Sequence, residues 1–447
     1  MISKNILLSL QSKMEFHKER IEFLKKTMHT NKLIFIGIIL WLISDTAFAQ
    51  NSTNTPHTRY GYGVLADKAF ISQRGMGGIG YGLRNSQMIN PMNPASFSSV
   101  DSMTFMFDLG VTGQMVWLKD GLENERKING NLEYMAMQFP LAKKIGVGIG
   151  FEPVSYVGYN YGDIVRLALE EELASTVYNG GGGFSKVYGA LSYDLLDRIS
   201  FGVKVSYLFG DIIHDKFVRF SSQSGNYNTN WTDTIRGNGL LYDFGLQYHQ
   251  PVGRFKSITV GAIYSPKISY GAKVMTGSII SDASGSIMDR VHTLSKDSVF
   301  ELPETYGLGF TYNQLGKMTV GADVLYQRWA DVKFFNQSGA FSNRLKLNAG
   351  GEYIPLRTSN NMLNRLRYRA GLYYANSYQI IKDSKYNEYG ANLGLGIPMP
   401  DRRSFLNLAF EYSRVMPKTN TLIEEQYFKV SLSYTFNESW FFKRKLQ

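Results

Sequence analysis

Apolar and polar residues alternate through much of this chain. In Phe428-Lys429-Val430-Ser431-Leu432-Ser433-Tyr434-Thr435-Phe436 every second residue is apolar and its neighbours are polar. Ile199, Phe201, Val203, Val205, Tyr207 and Phe209 repeat the pattern, as do Tyr389, Ala391, Leu393, Leu395 and Ile397, and Leu406, Leu408, Phe410 and Tyr412. A period of two sends successive side chains to opposite faces of a strand. A soluble sandwich has the same period, so the residue types must decide. One face here holds Gly, Ser, Asn and charges, and the other an aliphatic and aromatic band. That division fits lipid outside and a wet lumen inside.

The pattern predicts an all-β chain of about fourteen strands, from about 102–118 for the first to about 425–436 for the last. Short connections (Leu141-Ala142, Leu195–Asp197, Gln250–Gly253, Asn313–Gly316, Met399–Asp401) alternate with longer ones at 158–183, 221–230, 276–297 and 331–340. Short turns at one end and long loops at the other mark a transmembrane antiparallel β-barrel of the outer membrane. The segment 355–365 is a long connection on the short-turn side. Ile164–Ser175 has apolar residues at helical spacing and reads as a short amphipathic helix or an ordered loop, and 276–297 as a mobile loop. Trp117, Trp231, Trp329 and Trp440 fall at predicted strand ends, where interfacial girdles sit.

One stretch breaks the alternation. Gln73 to Phe105 is glycine-rich, poor in charge, and turns through Asn90-Pro91 and Asn93-Pro94-Ala95. Proline removes donors and glycine permits close backbone approach, so a compact irregular plug is expected. Gly75, Gly77 and Gly80 also match a dinucleotide-binding glycine pattern, with Asp101 at about the required distance. The context fails, because no buried strand precedes the pattern and no helix can run through the two Asn-Pro pairs.

Leu33–Ile43 is an apolar run of signal-peptide length, too short to span a membrane, and Ala47-Phe48-Ala49 supplies a small-x-small cleavage site. Residues 1–49 are therefore expected to be removed as a signal peptide with a long charged leader, unless Met28 is the true start. The chain then divides into a hatch at 50–100, a barrel at 101–436 and a C-terminal extension at 437–447. The full sequence has 447 residues, no cysteine and a net charge of +11. Removing the leader, with about seven basic and four acidic residues, leaves about +8. Export and the absence of a dense basic cluster before the C-terminal tail argue against nucleic acid. Twenty-nine Tyr, 28 Phe and 44 Gly suit membrane β-structure.

The stretch RGMGGIGYGLRNSQMINPMNPASFSS resembles the N-terminal hatch of the outer-membrane long-chain fatty-acid and hydrophobic-compound transporters (FadL/TodX type). Its motif residues are Gly75, Gly77, Gly78, Gly80, Asn93, Pro94 and Ala95. Leu302-Pro303 with Gly307-Leu308-Gly309, then Val320-Gly321-Ala322-Asp323 and Trp329, is a second point of likeness. The resemblance implies a fourteen-stranded barrel plugged by a hatch and passive uptake of hydrophobic or amphipathic compounds such as long-chain fatty acids. It implies lipid, a hydrophobic ligand and the barrel-assembly machinery as partners, and no cofactor. Members of the family also act as secretion-accessory or binding barrels, which is the alternative. The extension after Phe436 departs from the usual aromatic end, and no ligand-binding residues carry over.

Catalytic motifs are lacking. His57, His214, His249 and His292 have no metal-site spacing, and no G-x-S-x-G elbow occurs, so an enzyme is not expected. The polar face supplies candidate lumen charges: Lys204, Asp243, Asp323, Lys346, Glu352, Arg369, Glu411 and Lys429. Such groups are expected to pair across the lumen or to meet a ligand carboxylate. In Ile145-Gly146-Val147-Gly148-Ile149-Gly150-Phe151-Glu152-Pro153, proline interrupts a strand. A closed barrel has no edges, so Glu152 and Pro153 mark a bulge, a strand end or a lateral opening.

Overall fold

A computed structural model describes residues 53–119, 124–166, 173–220, 227–418 and 423–439. The expected signal peptide and residues 440–447, Trp440 among them, lie outside these residues, whereas Asn437–Ser439 of the expected C-terminal extension continue the last strand. Fourteen strands form one closed antiparallel sheet. They are β1 (Thr104–Lys119), β2 (Asn124–Ala142), β3 in two segments (Ile145–Pro153 and Ser155–Arg166), β4 (Leu173–Asp194), β5 (Ile199–Phe220) and β6 (Asn228–Gly253). Next come β7 (Lys256–Ser265 and Ile268–Ser281), β8 (Ile287–Leu302 and Thr305–Gln314), β9 (Met318–Gln327) and β10 (Arg344–Tyr353). The last are β11 (Arg367–Asn376), β12 (Tyr386–Pro398), β13 (Phe405–Pro417) and β14 (Glu424–Ser439). β14 pairs with β1 from Glu424↔Lys119 to Ser439↔Thr104 and closes the barrel. The breaks in β3, β7 and β8 fall at Pro153, Pro266 and Pro303, where the ladder loses a donor.

The outer ends differ from expectation. Within 158–183, Ile164 pairs with Ser175 across a ladder, so strand replaces the suggested helix; 167–172 lie outside the described residues. The segment 276–297 is likewise mostly hairpin, with Thr276 opposite Leu294 and Ile280 opposite Asp289. Both stretches carry Thr, Val and Ile, with Tyr in the first, and that β-propensity extends the sheet beyond the apolar band. Trp329 does not join a girdle. It is buried inside the barrel, because 327–344 folds back over the lumen after a short 3₁₀ turn at Trp329–Asp331.

On β14, Phe428, Val430 and Leu432 are exposed on the outer face, with Tyr434 and Phe436 half-buried on the same side. Ser431, Ser433 and Thr435 point inward and are buried. Leu432→Lys places an ammonium in hydrocarbon and should destabilise the barrel by about 2–4 kcal/mol if it lies near the bilayer midplane. The inward Ser433→Lys change should not carry this lipid-dependent cost. Heat-resistance of the folded band on gels, compared between detergent and bilayer, checks the difference.

The hatch fills the lumen. Phe70, Ile71, Met76, Ile79, Ile89 and Phe97 are all at most 1% exposed. Wall glycines make this possible. A Cβ on Gly261 would sit 1.8 Å from the Tyr81 carbonyl oxygen, and one on Gly202 would sit 2.3 Å from the Pro94 carbonyl carbon. Any side chain there would occupy the volume of hatch backbone.

Candidate functional site

The hatch motif builds its own turns and then bonds the wall. Asn93 caps the 3₁₀ turn Pro94–Ser99, its side chain accepting from the Ala95 amide at 3.0 Å. The Asn93 side-chain Nδ2 donates to Tyr81 O at 2.8 Å. Asn90 donates to the carbonyls of Gly80 and Leu83. Gly77 and Gly78 hold φ of 71° and 80°, where a Cβ is disfavoured. Gly75 lies against Gly394 and Arg369, and Gly80 against Met92. Pro94 packs on Gly202 and Gly245, and Ala95 is fully buried.

Each candidate lumen charge has a partner. Asp323 of β9 accepts from the amides of Gly80 and Tyr81 at 2.6 and 2.9 Å, tying the hatch to the wall. Glu352 takes Arg369 at 2.8 Å and Arg367 at 3.4 Å. Arg369 also donates to Asn407 at 2.8 Å. Lys429 meets Glu411 at 2.9 Å, and Lys346 meets Asp67 of the hatch at 3.2 Å. Lys204 donates to the Pro91 carbonyl at 3.1 Å and pairs with Asp243 at 3.2 Å and Glu152 at 3.5 Å. Glu152 also binds Lys186 at 2.9 Å.

Several members of these networks escaped the sequence reading. Lys186 alternates on β4 as Lys204 does on β5, and that signal was available. Glu133, paired with Arg74 of the hatch, was hidden by a bulge. Between Gly110 and Val111 the β1–β2 register shifts by one, so Asn129, Glu133, Tyr134 and Ala136 are all buried. Arg84–Asp194 and His57–Glu425 join hatch to wall across long sequence separations, which no local pattern reveals.

Lys68 differs from these. It projects from the hatch toward a cavity of about 190 Å³, shared with Glu152, Lys186, Asp243 and Lys346 and roofed by Leu241, Leu325 and Trp329. Burial, with Lys186 and Lys204 nearby, pushes its ammonium down to about 8, against the pull of Asp243. Above this cavity the outer lumen is closed by packed rings. Tyr62, Phe184, Phe300, Trp329, Phe341 and Tyr378 form one buried cluster. Trp329 lies 4.3 Å from Tyr378 between ring centroids.

Pro153 ends the inner half of β3, which pairs with β2 only from Ala142↔Ile145 to Met135↔Phe151. Beyond Val154 the outer half of β3 leaves β2 and takes the hatch instead. Val64 pairs with Tyr156 and Leu65 with Ser155. Thr55 N donates to Gly158 O at 2.8 Å, and Ala66 N to Val154 O at 3.0 Å. On the other side β4 bends at Gly182 and Gly183, with φ of 101° and 142°. A Cβ at Gly183 would lie 2.3 Å from Ser155 O, so the inward fold of β3 needs glycine there. Among the described residues, the outer half of β2 has no strand on the side facing β3. Asn54 bridges this seam to Asn129 at 2.7 Å. Behind it lies a second cavity, about 140 Å³, lined by Val64, Arg74, Asn131, Glu133 and Tyr156 among others.

The BamG family model matches residues 30–447. No curated protein matches the chain significantly. Solved outer-membrane channels share the fold. A Pseudomonas aeruginosa FadL homologue superposes with a TM-score of 0.59 at 16% identity, covering 83% of this chain and 99% of that one. The P. putida toluene transporter TodX gives 0.55 at 16% identity, with 86% and 99% covered. The Ralstonia pickettii toluene transporter TbuX gives 0.53 at 15% identity, with 83% and 98% covered.

Proposed function

The chain belongs to the BamG family, and we propose that it is an outer-membrane barrel through which hydrophobic or amphipathic compounds pass without chemistry or energy input. The observation that carries this reading is the seam. The outer half of β3 has left β2, and among the described residues the N-terminal segment 54–66 holds its free edge. A ligand leaving sideways at Glu152-Pro153 would enter lipid without crossing water. At roughly 25 cal/mol per Å² of apolar area, that saves several kcal/mol for a long acyl chain. The solved neighbours named as toluene transporters support a hydrophobic cargo. Long-chain fatty acids are the finer proposal, with Lys68 meeting the carboxylate under the apolar roof of the central cavity.

The chain has no cysteine, which gives a clean test. Asn54→Cys with Asn129→Cys, joined by a short cleavable bis-thiol reagent, staples the segment across the seam. Uptake of a fluorescent fatty acid into proteoliposomes should fall by about tenfold or more and return on cleavage, as expected when a gate cannot open. Uptake unchanged by a complete cross-link contradicts lateral passage here.

A second reading is an accessory barrel of the barrel-assembly machinery, which the family's name suggests. The closed lumen favours it. Cavities of about 190 and 140 Å³ fall below the roughly 300–1,000 Å³ of usual ligand pockets. Passage thus requires the hatch to move, whereas an accessory role does not. A wild-type barrel that fails to admit the fatty acid would favour this second reading.

A further inference from the structure

We propose that the short-turn end of the barrel, which faces the periplasm in outer-membrane barrels, docks an acidic, leucine-bearing polypeptide segment of a periplasmic protein. This surface is separate from the seam and does not depend on the lumen being a passage. At that mouth lies a concave basin of about 610 Å³, walled by the turns after β6, β8 and β10 and floored by hatch residues 84–87, Ser98 and Ser99, with Asp101 just beyond. Six arginine and lysine side chains line it: Arg84, Arg254, Lys256, Lys317, Arg357 and Arg367. Two are committed, Arg84 to Asp194 and Arg367 to Glu352. Among the described residues the other four have no ion pair. The carboxylates in the lining are Asp101 and Glu352, and Glu352 is already shared between two arginines. Concave walls of one sign focus the field and attract the opposite charge.

The rim supplies the apolar part. Phe255, Leu315 and Leu356 sit at the tips of the same three turns and are 57%, 65% and 53% exposed. Arg254 lies 5.4 Å from the Phe255 ring, so cation and aromatic face form one patch. Lipid headgroups explain the patch less well. The basin lies on the lumen side of the turns, against Ser98, Asp101 and Glu352, rather than on the lipid-facing perimeter. Its volume suits several side chains of a peptide rather than one small anion.

The test uses the full barrel in phosphatidylcholine nanodiscs. The probe is a fluorescein-labelled peptide of alternating Glu, Asp and Leu, with a Lys-for-acid version as control. The acidic peptide should bind, and its affinity should fall about tenfold or more between about 50 and 500 mM salt. The control should not bind. Arg254→Glu, Lys256→Glu, Lys317→Glu and Arg357→Glu combined should weaken the acidic peptide by about tenfold or more, as loss of a steering patch predicts. These are exposed positions in the turns or, for Lys256, at the start of the strand that follows one, and an unchanged heat-modifiable band confirms folding. Leu315→Ser with Leu356→Ser, which leaves the charges in place, should weaken binding by a smaller factor. Equal binding of both peptides, or acidic-peptide binding that survives charge reversal, overturns the proposal. Loss of the peptide in discs containing phosphatidylglycerol would assign the basin to anionic lipid and also overturn it.

Discussion

Gly261→Val should expel the hatch from its seat. The new Cβ would meet the Tyr81 carbonyl oxygen at 1.8 Å and its carbon at 2.4 Å. That oxygen is fixed by donors from Asn93 at 2.8 Å and Gln247 at 3.0 Å. Backbone held from two sides cannot yield by a rotamer change, so the hatch must lift or the strand must shift. Overpacking costs about 1–3 kcal/mol in ordinary cores, and this contact belongs at or above the upper end. At about 3 kcal/mol the open population rises roughly a hundredfold. Ser96 is 3% exposed and its hydroxyl donates to the Asn90 carbonyl within the hatch, so Ser96→Cys provides a reporter. An impermeant maleimide should label it about a hundredfold faster in the Gly261→Val background, that factor being the same free energy expressed as a rate ratio. Protection unchanged in a folded Gly261→Val barrel would mean that the hatch does not rest on this wall.

Glu352→Ala should be the most damaging single change among the lumen charges. Its carboxylate holds Arg369 at 2.8 Å and Arg367 at 3.4 Å, and all three side chains are buried. Removing the shared anion leaves two arginines facing each other, with Asn407, Gln87 and the Met88 sulfur as their hydrogen-bond partners among the described residues. Breaking a buried pair from one side typically costs about 3–5 kcal/mol, because the remaining charge stays desolvated. Lys429→Met should cost less, since Lys429 is 24% exposed along its side chain and water can reach Glu411 more readily. Urea-induced unfolding in detergent, followed by tryptophan emission, measures both. Equal costs would argue that the Glu352 network is not a desolvated one.

The barrel was legible because lipid and lumen impose a two-residue period that nothing else in the chain imitates. Ser431 and Leu432 announce their faces by residue type alone. The lengths of the outer strands were not legible, because beyond the bilayer the outer face turns polar and the alternation loses its contrast. Thr276 and Asp289 then look like loop residues although they lie in a ladder. Glu133 was hidden by the one-residue shift at Gly110/Val111, which inverts the faces on either side of it. Trp329 was misplaced because strand-end position says nothing about whether the next loop turns outward or back over the lumen. The glycines of the wall stood out in the sequence, but their role depends on contacts such as Gly202 with Pro94, more than a hundred residues apart.

Pro153 was the most informative single residue. Its place in an otherwise alternating strand left three outcomes open, and pairing separates them. The strand resumes at Ser155 with a different neighbour on one edge, the hatch residues Val64 and Leu65. That exchange of partners links the N-terminal segment to the wall.

The hatch as plug is the claim on which this account depends, and single-channel conductance of a 75–95 deletion in planar bilayers tests it most directly. The segment removed includes Met76, Ile79 and Ile89, each 0% exposed, and the amides that bind Asp323. A folded deletion barrel should pass ions in steps several-fold larger than the intact protein, as an unplugged lumen does. Steps of unchanged size from a folded deletion variant would contradict the account.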